Sequence, residues 1–528
     1  MQVDLQKFTQ LYTRLCDIDF TGTIAGLRPN ISGASNIQAA MAEGAPVLPL
    51  VYRQSYVDPL GAGLQSLLAT LQQAVNLGQI PAQRATTIIE GFYAPIYEHA
   101  TRVASVDVRQ ELRRFLAVVS NLFRSFVNEN KRKSINVPIV TDTPPLAFFQ
   151  TDSRQGPYTI TAETMRKQFG TDVGIVSLPA TYRADPVLWA SLTHEVCGHD
   201  VVHADEKLVP ELVGAVRAMF TSSFDPHHDL NPDTLNALLW SYWIDEAVAD
   251  AYGVLNMGPT FPLNLAAFFA ALRGVAAHKL DNQALPASPR LSAVALQRDP
   301  SGGDTDMDEH PIDVLRLQLA IGVIDSLPQL DAAKRADYIA SIEAVADAAT
   351  GGATEVRLQG DVKISHSDFI TVDTAMPMAV AAAAARRVGN LIATKQLAAL
   401  NNRTIQDIET WDDADEETAA GVAANITAGR SIVAFGDDAQ LLAGATMALV
   451  ADPTKYDSAT TLLNAALDDS FNNDPIWGLM QPDSMFAPSL FYGMKLPKPT
   501  RAGRARSKTV AKKRKTKRQA AAKARSRH

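Results

Sequence analysis

The chain of 528 residues is 46% hydrophobic and 20% charged, a composition typical of ordinary globular proteins. Its length is too great for one small core, and predicts several domains or one large helical body. The net charge of −8 is unevenly distributed, because residues 495–528 contain 15 Lys and Arg and no Asp or Glu. Removing these 15 from the total of 49 leaves 34 basic against 57 acidic residues in 1–494, a net charge of −23.

Several protein classes are excluded at this level. No run of apolar residues is long and uncharged enough for a transmembrane helix, so we expect no membrane association. The first residues lack a basic segment followed by an apolar one, so we expect no secretory signal. Two cysteines, Cys16 and Cys197, are too few for a disulfide framework. We therefore expect a cytoplasmic protein, with the basic tail as an alternative address in the nucleoid or nucleus.

Amphipathic helices are predicted between residues 61 and 127, because apolar residues recur at spacings of three and four. After residue 133 the pattern changes to short apolar or β-branched runs bounded by Pro, Gly and Asp, which is typical of strands. These runs are Val137–Val140, Leu146–Phe149, Tyr158–Thr161 and Val173–Leu178.

Two further helices follow the strands. Asp185, followed by a proline, predicts the N-cap of a helix that leads to His194. Asn231, also followed by a proline, begins another helix that runs to Glu246 and Asp250. Residues 286–311 are rich in Pro, Gly, Ser and Asp and predict a loop. Beyond it, helices are predicted at 313–347, 375–400, 437–451 and 457–470, and a strand pair at 356–364.

These patterns predict a mainly α fold of the α+β class, a helical body with a small β-sheet beside the helix that carries His194. We divide the chain into an N-terminal helical region (1–135), a region with the candidate site (136–330), a C-terminal helical region (331–494) and a basic tail (495–528).

The sequence His194-Glu195-Val196-Cys197-Gly198-His199 is close to the zinc motif H-E-x-x-H, but its histidines are five apart instead of four. On a regular helix, five residues place two side chains roughly 140° apart. A π-bulge absorbs one residue and returns both histidines to one face. Gly198 is a suitable place for it, because glycine has no side chain to crowd the neighbouring turn.

A catalytic zinc site takes three protein ligands and leaves a position for water. With His194 and His199, Glu246 is the natural third ligand for one Zn²⁺ ion. His199 and His203 form a rival pair, four residues apart, that needs no bulge. The acid inside that pair is Asp200, which is one methylene shorter than glutamate and less able to reach the metal's water.

The first motif resembles the H-E-x-x-G-H signature of the dipeptidyl peptidase III family of zinc exopeptidases. The stretch from Asp245 to Asp250 (Asp-Glu-Ala-Val-Ala-Asp) is similar to that family's second motif, E-E-x-x-A-D, with aspartate in its first position. The order of the two motifs is also similar to that of gluzincins in general. The pair His310-Pro311, with Arg316 six residues after the histidine, resembles a motif of membrane-bound CAAX-type proteases.

These resemblances imply a role for each matching residue. His194, His199 and Glu246 would bind zinc, and Glu195 would be the general base that takes a proton from water. The second N–H of a ligand histidine would be accepted by Asp250 or by Asp245. An oxyanion would be stabilised by His310 or by Arg316. The implied activity is a zinc-dependent peptidase acting on a peptide or protein, without a preference between exopeptidase and endopeptidase action.

The basic tail suggests a different partner. Residues 502–528 are of low complexity without apolar anchors, so we expect a disordered tail. They contain no aromatic residue to stack on bases, so binding to nucleic acid or another polyanion would depend on phosphate contacts and on salt. The alternative function is therefore a non-proteolytic, metal-binding scaffold that its tail attaches to nucleic acid.

Overall fold

A computed structural model describes residues 2–16, 48–88, 109–127, 132, 142–150, 157–281, 292–293, 306–365 and 368–477. Met1–Gln481 form one compact unit. The second unit, Pro482–His528, lies outside the described residues, as does the basic tail within it. The predicted strand at Val137–Val140 also lies outside them, and the three-part division of residues 1–494 stays a prediction.

Helices form most of the described structure, as the sequence predicted. They are α1 (Leu5–Cys16), α2 (Asp58–Asn76), α3 (Arg109–Val127), α4 (Ala162–Phe169), α5 (Leu208–Phe220), α6 (Pro232–Tyr242), α7 (Ile244–Met257), α8 (Thr260–Asp281), α9 (Asp313–Asp325), α10 (Ala332–Thr350), α11 (Met378–Thr394), α12 (Asp413–Thr427), α13 (Asp438–Ala451) and α14 (Tyr456–Asn473). Leu50–Tyr52 and a π-helical segment, Arg53–Val57, precede α2. Short 3₁₀ turns occupy Ala180–Ala184, Pro186–Leu188, Ala398–Leu400, Ile405–Asp407 and Pro453–Lys455.

The first sheet lies beside the candidate site and consists of β1 (Leu146–Phe149), β2 (Tyr158–Ile160) and β3 (Ile175–Leu178). β3 is central, parallel to β1 and antiparallel to β2, so β1 and β2 are the two edge strands of this sheet within the described residues. Both β1 and β3 are buried along their whole length, as expected of strands covered on two faces. The predicted mainly α fold with a small sheet is therefore confirmed.

The second sheet is a long antiparallel hairpin of β5 (Glu355–Ser365) and β6 (Asp368–Pro377). A short strand, β4 (Ser292–Ala293), pairs in parallel with β5. The prediction that residues 375 to 377 are helical is wrong, because they belong to β6 and α11 begins only after Pro377. The strand pair predicted within 356–364 is one strand, and its partner follows it.

The helix that carries the H-E-x-x-G-H motif is π-helical over Thr193–Asp200, and we call it the motif helix. It packs against α7 at Gly198, where a Cβ atom would lie 2.2 Å from Ala249 Cα. Only glycine permits this approach, so the extra residue of the motif is also the contact that brings α7 close.

Two helix boundaries differ from the sequence prediction. Asp185 does not cap a helix: it accepts a hydrogen bond from the Tyr456 hydroxyl at 3.0 Å, and only a 3₁₀ turn follows it. Asn231 does cap α6, accepting bonds from two backbone N–H groups. The helix predicted from there to Asp250 is interrupted at Trp243, and α7 begins after it.

None of the helices within the described residues is long and apolar enough to cross a membrane.

Candidate metal centre

The π-helical geometry of the motif helix brings its two histidines together. In a π-helix the backbone N–H of one residue bonds to the carbonyl five residues earlier, so residues five apart lie one above the other. The Nε2 atoms of His194 and His199 are 3.2 Å apart, with the two rings nearly perpendicular. The sequence predicted a single π-bulge, whereas in the structure the whole motif is π-helical.

Glu246 completes the group from α7. Its Oε2 atom lies 3.1 Å from His194 Nε2, and its Oε1 atom lies 3.4 Å from His199 Nε2. One ligand atom from each of the three residues lies within 4.8 Å of the other two. The contact between the motif helix and α7 therefore gathers the three residues that the sequence proposed as ligands.

The group has the chemistry of a divalent metal site. Two imidazole nitrogens and one carboxylate oxygen are the donor set that zinc prefers in catalytic sites. Glu246 Oε2 is buried and lies 3.1 Å from His194 Nε2 and 3.5 Å from His310 Nε2, but no N–H of the described residues is well aligned with it. A buried carboxylate oxygen without a hydrogen bond is costly, and a cation coordinated by these atoms would remove that cost.

Behind His194 lies a buried ion pair. His194 Nδ1 is 2.9 Å from Asp250 Oδ1, and Arg316 donates two hydrogen bonds of 2.7 Å to the same carboxylate. Asp250 and Arg316 are 1% and 4% exposed. A carboxylate that accepts from Nδ1 fixes the tautomer of the imidazole and leaves Nε2 for the metal. Of the two candidate aspartates, Asp250 therefore occupies this position.

Arg316 does not fit the oxyanion role suggested by the sequence. Its guanidinium is held by Asp250 and lies 3.2 Å from His194 Nδ1, on the side of the imidazole opposite Nε2. The ring of Phe269 packs 4.9 Å from its guanidinium carbon. Arg316 thus holds Asp250, the partner of His194 Nδ1, and does not point to the side of His194 where Glu246 lies.

We call the three candidate ligands, His194, His199 and Glu246, the metal-binding group. Glu195 follows His194 on the motif helix and is 6% exposed. Its Oε2 atom accepts a hydrogen bond of 2.8 Å from the hydroxyl of Thr159, which lies on the edge strand β2. The same hydroxyl is 3.1 Å from the Glu195 carbonyl oxygen. No motif singled out Thr159, because only the packing of β2 on the motif helix brings it to Glu195.

His310 reaches the group from a separate segment. Its Nε2 atom lies 3.5 Å from Glu246 Oε2, and its Nδ1 atom lies 3.2 Å from Asp308 Oδ1. Trp243 and Tyr242, just before α7, donate hydrogen bonds to the carbonyl oxygens of Asp308 and Met307. The chain that precedes Glu246 therefore also holds the segment that carries His310.

His203 lies outside the metal-binding group. Its Nδ1 atom is 3.2 Å from Glu163 Oε2, and its Nε2 atom is 3.7 Å from Asp245 Oδ1. Asp245 thus approaches His203 and not a histidine of the group. The rival pair of His199 and His203 has no third ligand within the described residues, since the metal-binding group found there contains His199 and not His203.

Asp200 ends the motif helix in full burial. Its Oδ1 atom accepts a hydrogen bond of 2.8 Å from the backbone N–H of Ala162, at the start of α4. Burial raises the pKa of Asp200 to about 7, because desolvation outweighs that hydrogen bond. A Cβ atom at Gly174 would lie 2.3 Å from Asp200 Oδ1, so this carboxyl joins the motif helix to the sheet region. Asp200 is not part of the group of candidate metal ligands among the described residues.

The charges within the group favour one another. Burial alone would favour neutral His194, but the charge of Glu246 and the hydrogen bond to Asp250 outweigh it and raise the pKa of His194 to about 9. Burial would also raise the pKa of Glu246, yet the neighbouring His310, His199 and His194 hold it well below its usual range. Glu246 is therefore ionised, as a metal ligand must be.

Comparison of the chain with protein families, with curated proteins and with solved structures found no match.

Proposed function

We propose that the protein is a zinc-dependent peptidase that hydrolyses peptide bonds with Glu195 as general base. One observation carries the proposal: ligand atoms of His194, His199 and Glu246 lie within 4.8 Å of one another, and Glu195 stands on the same turn of the motif helix. A zinc ion bound there would act as a Lewis acid and lower the pKa of a coordinated water.

The residues of the chain have distinct tasks in this reaction. His194, His199 and Glu246 would hold the ion, and Asp250 fixes the orientation of His194 through Nδ1. Glu195 accepts a proton from the attacking water and delivers it to the leaving amine. Its burial at 6% exposure limits competing water around the carboxylate.

His310 is the residue placed to stabilise the oxyanion that develops on the substrate carbonyl. Its side chain is 49% exposed, and its Nε2 atom faces Glu246 while Nδ1 faces Asp308. A histidine that is oriented by a carboxylate and open to solvent can donate a hydrogen bond to a bound substrate. The peptide itself would lie along β2, because an edge strand offers unpaired backbone groups to an extended chain.

The decisive experiment combines metal analysis with hydrolysis of a peptide library. We expect one zinc per chain in the purified protein and cleavage of peptides by it. Glu195→Gln should keep the zinc and lose at least 100-fold in kcat, since a general base contributes 10²–10⁴ in rate. A zinc-loaded wild-type protein that cleaves no peptide would refute the peptidase proposal.

The ligand set has its own test. His194→Ala should abolish zinc binding, whereas His203→Ala should leave the zinc content unchanged, because His203 lies with Glu163 and Asp245. Loss of zinc in the second variant alone would overturn our choice of ligands in favour of His199 and His203.

The basic tail supports a second proposal, a metal-binding scaffold attached to nucleic acid. Its 15 basic residues without an acidic one would bind phosphates through counterion release. Removal of residues 495–528 should abolish retention on double-stranded DNA at low salt and leave zinc content unchanged. Retention that persists after truncation would refute the tether. Peptide hydrolysis by the full chain would show that the protein is not only a scaffold.

A further inference from the structure

Within the described residues, the Glu195 carboxylate accepts its hydrogen bond from the hydroxyl of Thr159. This hydroxyl donates to Glu195 Oε2 at 2.8 Å and lies 3.1 Å from the carbonyl oxygen of the same glutamate. Oε1 accepts no hydrogen bond within the described part of the chain. The two oxygens of the general base are therefore unequal: one has a fixed donor, and the other is available.

The position of Thr159 follows from the strand geometry. Successive side chains of a strand point to opposite faces, so Thr159 faces away from the side shared by Tyr158 and Ile160. Thr159 pairs with Val176 in β3, and the face that they share is the one that meets the motif helix. The edge strand therefore presents a single hydroxyl to the base.

We propose that Thr159 is a positioning residue that holds Glu195 in the orientation for proton transfer. A hydrogen bond from a hydroxyl to a carboxylate is short and strong, and it restricts rotation of the glutamate about its last side-chain bond. With Oε2 engaged, Oε1 is the oxygen that takes the proton from the attacking water. This inference rests on the proposed peptidase function and adds the group that directs its base.

The location on β2 gives this contact a further consequence. The same edge strand would bind the extended substrate, so the backbone that aligns the peptide also carries the hydroxyl that aligns Glu195. Misplacement of a reacting group by about 1 Å can cost 100-fold in rate. Placing both tasks on one short strand fixes the base relative to the scissile bond.

The test is the variant Thr159→Val, which keeps the shape of the side chain and removes its hydroxyl. We expect kcat to fall 10- to 100-fold with KM and zinc content unchanged, and the thermal midpoint to fall slightly because the buried carboxylate loses a donor. Thr159→Ser should restore most of kcat, because it restores the donor. A crystal structure of Thr159→Val should show the Glu195 carboxylate rotated from its wild-type position, a readout that does not depend on activity.

Thr171→Val is the matched control. It removes the hydroxyl of a buried threonine that donates to the carbonyl of Ser55 and not to the site, so kcat should remain at the wild-type value. If Thr159→Val has wild-type kcat while Glu195→Gln is inactive, the positioning role is refuted and the peptidase stands. If Glu195→Gln is as active as wild type, the proposed function itself fails. Equal losses in zinc content and stability would show that Thr159 only supports the helix.

Discussion

Two histidine–aspartate pairs approach Glu246 from different parts of the molecule. The first pair is His194 of the motif helix and Asp250 of α7. His194 Nδ1 lies 2.9 Å from Asp250 Oδ1, and His194 Nε2 lies 3.1 Å from Glu246 Oε2. The second pair is His310 and Asp308, on the segment before α9. His310 Nδ1 lies 3.2 Å from Asp308 Oδ1, and His310 Nε2 lies 3.5 Å from Glu246 Oε2. The chemistry of the pairs is the same, and their surroundings differ.

Burial separates the two pairs. The side chain of His194 is 8% exposed, and Asp250 is further held by the buried guanidinium of Arg316. The side chain of His310 is 49% exposed, although Asp308 beneath it is buried. A pair fixed by burial and by a second ion pair suits a metal ligand, which must keep one geometry. A pair open to solvent suits contact with a molecule that arrives from solution.

Removing the buried aspartate should have the largest effect. Asp250→Ala leaves the Arg316 guanidinium buried without its partner, so the free energy of unfolding should fall by about 3–5 kcal/mol. Zinc affinity should fall 10- to 100-fold, because His194 loses the acceptor that orients it. Chemical denaturation and competition with a chelator measure the two effects.

Asp308→Ala is the matched change in the other pair. It removes the acceptor of the backbone N–H of His310, whose imidazole is half exposed, so we expect a loss of about 1 kcal/mol. Equal destabilisation by the two aspartate variants would contradict the distinction between the pairs.

The pKa of His194 predicts how stability depends on pH in protein stripped of metal by a chelator. The folded pKa of about 9 lies above the ordinary value of 6.5, so protonated His194 stabilises the fold fully below pH 6.5. That contribution is lost as the pH rises through about 9, and its size is on the order of 3 kcal/mol. Denaturation of metal-free protein between pH 6 and 10 measures it.

The same proton competes with the metal. A metal ligand must be neutral imidazole, so zinc binding below pH 9 should release the proton of His194, and zinc affinity should rise with pH. Calorimetry in buffers of different ionisation enthalpy counts the released protons. Stability of the stripped protein that rises between pH 7 and 9 would contradict the assignment.

Gly198→Ala tests the contact between the motif helix and α7. A Cβ atom 2.2 Å from the backbone of Ala249 would force the two helices apart, at a cost of about 1–3 kcal/mol. Zinc affinity should fall as well, since Glu246 reaches the histidines from α7. The control is Gly214→Ala in α5, where a Cβ meets nothing within 4 Å and a gain of up to about 1 kcal/mol is expected.

His310→Ala should have the smallest effect on the fold. The exposed imidazole contributes little packing, so the free energy of unfolding should change by less than about 0.5 kcal/mol, and zinc content should be unchanged. Loss of an oxyanion donor should lower kcat by about 100-fold. Steady-state kinetics and metal analysis separate the two quantities. Loss of zinc from this variant would show that His310 holds the metal and would remove the contrast between the pairs.

Local patterns in the sequence sufficed for much of the fold. Period-3.6 runs predicted α3, α9, α10, α13 and α14, and short apolar runs predicted the three strands of the first sheet. They failed at residues 375–377, because the helix predicted from the alanine-rich run included the last three residues of β6. Pairing with β5 decided that segment, and such pairing is invisible to local periodicity.

By itself, the sequence singled out His194, His199 and Glu246 as candidate metal ligands. The five-residue spacing of His194 and His199 predicted a π-bulge, with Gly198 as a suitable place for it, and the motif helix is π-helical there. The spacing of the two histidines along the motif helix is specified by the chain order, so this part of the site could be predicted from the sequence alone. Glu246 was proposed from the Asp245–Asp250 motif, and its approach to the histidines depends on the packing of α7 against the motif helix.

The tertiary structure alone decided which groups support the ligands. It chose Asp250 over Asp245 at His194, paired Arg316 with Asp250, and placed Thr159 on Glu195. These contacts join residues 36 to 66 positions apart in the sequence. These contacts form only when the helices and strands have packed in a particular orientation. A single sequence specifies which side chains are available but not which of them face each other in the folded protein.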